Sequence, residues 1–167
     1  MSALDHLGCS AVARRVDWID NAGMPAGGQR LVETLTRDLL ARPEVLEAYL
    51  FGSQALGVAQ AHSDVDVAVY VDPHRLADFA FGYAAELTTE LVALLRRNDV
   101  DVVVLNRAPP LLYHRVLRDG VRLFARNPPA TTTREGRALS RYCDYVPQLR
   151  KIDAAHAARS EDGRFGR

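Results

Sequence analysis

The chain is poor in cysteine, lysine and tryptophan, carries no excess of either charge, and holds no long hydrophobic run. Cys9 and Cys143 are its two cysteines in 167 residues, too few for a disulfide framework or a cysteine-built zinc site. Lys and Arg number 21, and so do Asp and Glu. The net charge of zero removes the strongly basic footprint of a nucleic-acid-binding domain, so direct contact with nucleic acid is not expected. No apolar stretch reaches the length of a membrane span or a signal-peptide core, and Asp5, His6, Arg14, Arg15 and Asp17 punctuate the start. A cytoplasmic protein without a membrane partner is the expectation.

Apolar residues make up 48% and charged residues 25%, the composition of a globular domain with a core of its own. No repeat or linker divides the chain. Residues 1–158 are expected to form a single domain, with residues 159–167, polar and glycine-containing, as a frayed tail.

Hydrophobic spacing predicts the elements. Leu4, Leu7, Val12, Val16 and Ile19 suggest a helix over residues 2–20, and glycines and Pro25 make a loop of residues 21–28. Leu31, Val32, Leu35, Leu39 and Leu40 follow helical spacing over residues 29–41, and Pro43 ends the run. Strands are predicted over residues 45–51, 64–71, 100–105 and 121–125. Between them, Pro73 is expected to open a long helix striped by Leu76, Phe79, Ala80, Tyr83, Leu87, Leu91 and Leu94, and Pro109 and Pro110 a shorter one to about Arg118. A last helix over residues 131–156 should be kinked or interrupted by Pro147. The expected class is α/β (α+β), a small mixed sheet of about four strands packed by helices.

The second strand holds an anomaly. It reads Asp64-Val65-Asp66-Val67-Ala68-Val69-Tyr70-Val71. Alternate valines suit a buried face, and the opposite parity puts both aspartates on one side, about 7 Å apart along the chain. Like charges this close repel, by up to about 4 kcal/mol at 4 Å for an effective dielectric near 20. A solvated sheet face would tolerate them, but long apolar helices flank this strand. Carboxylates in such a setting call for cations, and paired oxygen donors suit Mg²⁺. A third carboxylate lies in "NDVDVVVLN". Asp99 and Asp101 share parity, so alternation does not separate them. Asp99 follows Asn98 at the turn, where aspartates commonly serve the backbone, and Asp101 lies inside the strand and is the candidate. Asp64, Asp66 and Asp101 on neighbouring strands would hold two divalent ions, as phosphoryl-transfer enzymes do.

Gly52-Ser53 ends the first strand. Glycine allows close backbone approach, and serine offers a hydroxyl to a phosphate, although a serine beginning a helix is common in any protein. Gly-Ser, ten residues, then Asp-Xaa-Asp opening a valine strand is a far more specific pattern.

That pattern, with the later Asp101, resembles the DNA polymerase β nucleotidyltransferase superfamily over about residues 45–125. The short length and "VDVVVLNRAPPLLYHRVLRDGVRLF" look closest to its minimal nucleotidyltransferases, many of them antitoxins paired with a HEPN-domain toxin. The resemblance implies the polymerase β-type fold, with Mg²⁺ on Asp64, Asp66 and Asp101 and a triphosphate held by Gly52 and Ser53. It implies ATP as substrate and, for the antitoxin branch, AMP transfer to a tyrosine of the HEPN toxin. Family members often carry arginine where this chain has Leu56, and a leucine can neither grip a phosphate nor pair with a carboxylate. Two other functions fit the same residues: an antitoxin that neutralises by binding alone, and a small-molecule (antibiotic) nucleotidyltransferase. A chain this short lacks an obvious second domain for a bulky small substrate. His62 reads as a loop residue. His114, Arg115 and Arg118 read as the solvated face of their helix, where an arginine could serve a phosphate. Trp18, Tyr142 and Tyr145 read as packing.

Overall fold

Val65, Val67, Val69 and Val71 all project from one face of β2 (Val65–Val71) and are buried. The period-two pattern that builds this strand also decides which side of the sheet receives Asp66. The computed structural model describes residues 26–56, 63–76 and 82–161. The helix expected over residues 2–20, with Trp18, and His62 lie outside these residues, as does the tail from residue 162.

Four strands, β1 (Val45–Phe51), β2, β3 (Val100–Val104) and β4 (Val121–Ala125), form one sheet in the order β3-β2-β1-β4. β1 runs antiparallel to β2 and β4, while β2 and β3 are parallel. Parallel neighbours need a crossover, and it contains α3 (Tyr83–Leu95). The valine face of β2 joins Val45, Ala48 and Leu50 under Val32, Leu35 and Leu39 of α1 (Ala26–Leu40) and Leu87 and Leu91 of α3. Each such side chain contributes about 1.5–3 kcal/mol on full burial. On the other face, Tyr49, Phe51 and Ala68 pack with Tyr113 and Val116 of α4 (Pro110–Asp119) and Ala138 of α5 (Pro128–Glu161). The sheet is thus covered on both sides, and the fold is the expected mixed four-stranded sheet packed by helices. None of the described helices is long and apolar enough to cross a membrane.

Differences from the expected elements have local causes. α1 starts at Ala26, so Gly27 and Gly28 fall in its first turn, where glycine costs less than in a helix interior. The helix expected from Pro73 stops after a 3-10 turn, Pro73–Arg75, which the Asp72 carboxylate caps by accepting the His74 N–H at 3.0 Å and the extended Leu76 ends, while Phe79 and Ala80 lie outside the described residues. Gly82, at φ +82°, then caps a separate α3. Leu94, expected in the apolar stripe, is exposed, and Leu95 packs on the core instead. α5 starts earlier and runs longer than expected. Asn127 Oδ1 accepts the Ala130 N–H at 3.1 Å, and Pro128 and Pro129 occupy first-turn positions that need no donor. Pro147 sits inside α5 without ending it.

Candidate active site

β1 ends at Phe51, and Gly52 begins a one-turn helix, α2 (Gly52–Ala55). Two observations require glycine here. Its φ is +72°, a region that L side chains rarely adopt. A Cβ at this position would also lie 2.1 Å from Asp66 Oδ2 and 3.0 Å from its Cγ. The Asp66 carboxylate therefore packs directly on the backbone of the turn, a closeness set by the register that pairs Phe51 with Asp66 across β1 and β2. Ser53 follows within α2 and is half-buried. Leu56 closes the helix, 54% exposed.

Asp101 is the register partner of Asp66 on parallel β3. Neighbouring strands lie about 4.8 Å apart, and the parity that buries Val65 and Val100 puts both aspartates on the sheet face covered by α4. Asp64 stands one residue before β2, exposed, with the parity of Asp66. Asp64 and Asp101 both act on Asp66. Burial raises the pKa of Asp66, and the charges of Asp101 and Asp64 raise it further, opposed by the Arg115 guanidinium. A carboxylate so placed gains from any cation, and three aspartate side chains are the hard oxygen donors that Mg²⁺ prefers. The donor set therefore fits a divalent ion, although among the described residues no three His, Cys, Asp or Glu side chains converge as they stand.

The structure also separates Asp99 from Asp101. Both Asp99 oxygens accept from Arg97, and the Asp99 carbonyl accepts the Val65 N–H at 2.8 Å. Asp101 is exposed opposite Asp66.

Helix α4 divides the residues that the sequence placed together on a solvated face. Arg115 is exposed and acts on Asp66. Arg118 is paired with Asp119 at 2.7 Å. His114 is a correction: it is buried and lies flat on Tyr142 of α5, ring centroids 3.7 Å and planes 5° apart. The reading of Tyr142 as a packing residue matches this contact. α4 is seated by Gly120, where a Cβ would meet the carbonyl oxygens of Val116 at 2.4 Å and Leu50 at 3.2 Å. Its last turn thus presses on the strand that leads into Gly52. Arg115 stays on the solvated face, as the sequence placed it, yet its charge reaches Asp66, which no spacing in the sequence signals.

Comparison with known proteins agrees with this geometry. The family model described as polymerase beta, nucleotidyltransferase matches residues 33–129, which include the whole sheet and all five candidate residues. Among solved structures, a chain of the toxin–antitoxin complex MntA-HepT is 25% identical, with a TM-score of 0.58 over 77% of this chain and 99% of that one. A chain from the complex of tri-AMPylated Shewanella oneidensis HEPN toxin with its MNT antitoxin is also 25% identical, at a TM-score of 0.58 over 77% of this chain and 98% of that one. A toxin–antitoxin structure with AMP-PNP shares the fold at 24% identity and a TM-score of 0.51, over 83% and 98% of the two chains. No curated protein matches.

Proposed function

The chain belongs to the polymerase beta nucleotidyltransferase family, and from that premise we propose that it moves AMP from ATP onto a tyrosine of a HEPN-domain toxin and so acts as the toxin's antitoxin. The observation that carries this reading is the register of Asp66 with Asp101, beside a Gly52 backbone that no side chain separates from Asp66. The likeness to a chain of a complex with a tri-AMPylated HEPN toxin supports the choice of acceptor.

In this reading Asp64, Asp66 and Asp101 are the residues that would hold Mg²⁺. When bound, the metal would supply positive charge against the triphosphate. Gly52 offers its open backbone and Ser53 its hydroxyl to the phosphates, and Arg115 draws their charge toward Asp66. The tyrosine oxygen attacks the α-phosphorus as the bond to the β-phosphate bridging oxygen breaks. Pyrophosphate leaves, and the phenolic proton passes to Asp101. In-line placement of acceptor and leaving group is the main demand on the site. Asp101 is exposed on edge strand β3, so a protein acceptor can reach it. The cytoplasm, with its ATP and Mg²⁺, is the setting this chemistry requires.

One observation favours a second reading. Leu56, where the resemblance leads one to expect arginine, is 54% exposed, and an apolar side chain there serves contact with a protein better than grip on a phosphate. Incubation with Mg²⁺, ATP and the HEPN partner separates the two by intact mass. Transfer predicts a gain of whole adenylyl groups on the partner, abolished by chelation or by Asp64→Asn. Neutralisation without mass gain, equally by the Asp64→Asn protein, would establish the contact reading. Label on a small molecule alone would establish the antibiotic-modifying one.

A further inference from the structure

A clasp lies directly behind the carboxylates. α3 ends at Leu95, and Arg96 caps it in the left-handed conformation at φ +52°. Arg97 then turns back toward the start of β3. Its Nε donates to Asp99 Oδ1 and its Nη2 to Asp99 Oδ2, each at 2.5 Å, and Nη2 also donates to the Ser63 carbonyl at 2.6 Å. From the other side, Gln54 Nε2 in α2 donates to the same carbonyl at 3.0 Å. The Val65 N–H to the Asp99 carbonyl closes the circuit at 2.8 Å. Ser63 is thus held by α2 and by the start of β3 together, and the next residue is Asp64.

We propose that Arg97 is a positioning residue for the carboxylate cluster: by gripping the Ser63 carbonyl it fixes where Asp64 leaves the loop and holds it beside Asp66 and Asp101. The purpose of this placement rests on the nucleotidyltransferase reading; the clasp itself does not. Asp64 needs such help because it stands one residue outside β2, beyond the regular ladder, and its neighbours repel it. The Arg97 charge also acts on Asp64 across the site.

Magnitudes separate this role from a general structural one. Arg97 and Asp99 keep 28% and 31% of their side chains in solvent, and half-exposed ion pairs add little to global stability. Bidentate geometry instead fixes position. A lysine could still reach the Ser63 carbonyl but could not span both Asp99 oxygens.

The test uses the full chain as wild type, Arg97→Ala, Arg97→Lys and Asp64→Asn. Hydrogen exchange reads the amides of Asp64 and Val65, and the free-ion spin-resonance signal reads Mn²⁺ binding. In transfer assays, Arg97→Ala should raise the Mg²⁺ concentration for half-maximal rate while the ATP KM and the Tm stay near wild type. Loss of the grip on Ser63 should weaken Mn²⁺ binding in Arg97→Ala and speed the two amides, even though removing a positive charge near Asp64 would by itself favour a cation. Arg97→Lys should recover part of both. Wild-type exchange and wild-type Mn²⁺ affinity in Arg97→Ala would overturn the proposal. Should Arg97→Ala loosen Asp64 and weaken Mn²⁺ while the wild type transfers no adenylyl group, the positioning role stands and the transfer reading falls.

Discussion

The Asp66 carboxylate occupies the space that a side chain on residue 52 would need, with Oδ2 only 2.1 Å from where a Cβ would lie. Gly52→Ala therefore has two costs. The left-handed backbone at φ +72° disfavours an L residue by about 1–2 kcal/mol, and Asp66 must move. For a chain of this size each kcal/mol lowers Tm by about 2–4 °C. Gly52→Ala should abolish transfer, and adding Asp66→Ala should recover the steric part of the lost stability but not the backbone part. Thermal denaturation of the four proteins in the cycle checks this. Equal costs of Gly52→Ala with and without the Asp66 carboxylate would show that the contact is not made in solution.

Asp66→Asn should remove transfer without weakening the fold. Burial, then Asp101 and Asp64, raise the Asp66 pKa above its ordinary value of 3.8. The folded chain holds this proton more tightly than the unfolded chain, so the contribution is complete below the unfolded pKa and is lost as pH rises through the folded one. Without divalent ions, the Tm of Asp66→Asn minus that of the wild type should therefore grow from acid to neutral pH, and Mg²⁺ should narrow it by stabilising the wild type alone. A difference independent of both pH and Mg²⁺ would mean that the carboxylates do not interact.

What the sequence conveyed about this site came through period and punctuation. β1 and β4 have the expected bounds because Pro43 and Gly120 bracket alternating apolar runs. Parity put Asp64 and Asp66 on one face, whereas Asp101 meets Asp66 through the register of β2 with β3, which no alternation in the sequence encodes. What stayed hidden depends on which helix docks where. His114 looks like a surface residue of an amphipathic helix until α5 covers it. Glu47 is a charge in a strand whose partner, Arg134, is 87 residues away. The Arg97–Asp99 clasp is different: its residues are two apart, and only the third member, the Ser63 carbonyl, gives it meaning.

His114 should make stability depend on pH in the opposite direction. Its burial against Tyr142 lowers its pKa from 6.5, the Arg118 charge lowers it further, and Asp119 opposes them. The folded chain favours the neutral ring, so its contribution is complete above about pH 6.5 and is lost as pH falls through the depressed folded value. His114→Phe keeps a flat ring on Tyr142 and removes the titration. The Tm difference between His114→Phe and wild type should widen in favour of the variant between neutral and mildly acidic pH. Parallel curves for the two proteins would rule the stack out as the titrating contact.

Adjacent residues of opposite charge on α5 fasten that helix to the sheet. Arg134 donates to Glu47 of β1 at 3.0 and 3.3 Å, and Glu135 accepts from Tyr49 at 2.8 Å and from Arg122 of β4. Glu47 is wholly buried, and Arg134 keeps 18% of its side chain in solvent. Removing one partner of a buried pair costs about 3–5 kcal/mol, whereas replacing both by apolar groups is often neutral or stabilising. Arg134→Met alone should fall near the lower figure, because Arg134 is not fully dry and Tyr113 still donates weakly to Glu47 at 3.4 Å. Glu47→Met alone should cost less than Arg134→Met, since the arginine left behind can turn to solvent and Glu47 cannot. The double variant should approach wild type. Urea unfolding of all four proteins measures the coupling, and additive single effects would show that the two charges do not depend on each other. His114 meets Tyr142 two turns further along α5, so Arg134→Met should also loosen α4, and Arg115 with it, from the carboxylates. Its transfer rate should therefore fall even at temperatures where the protein remains fully folded.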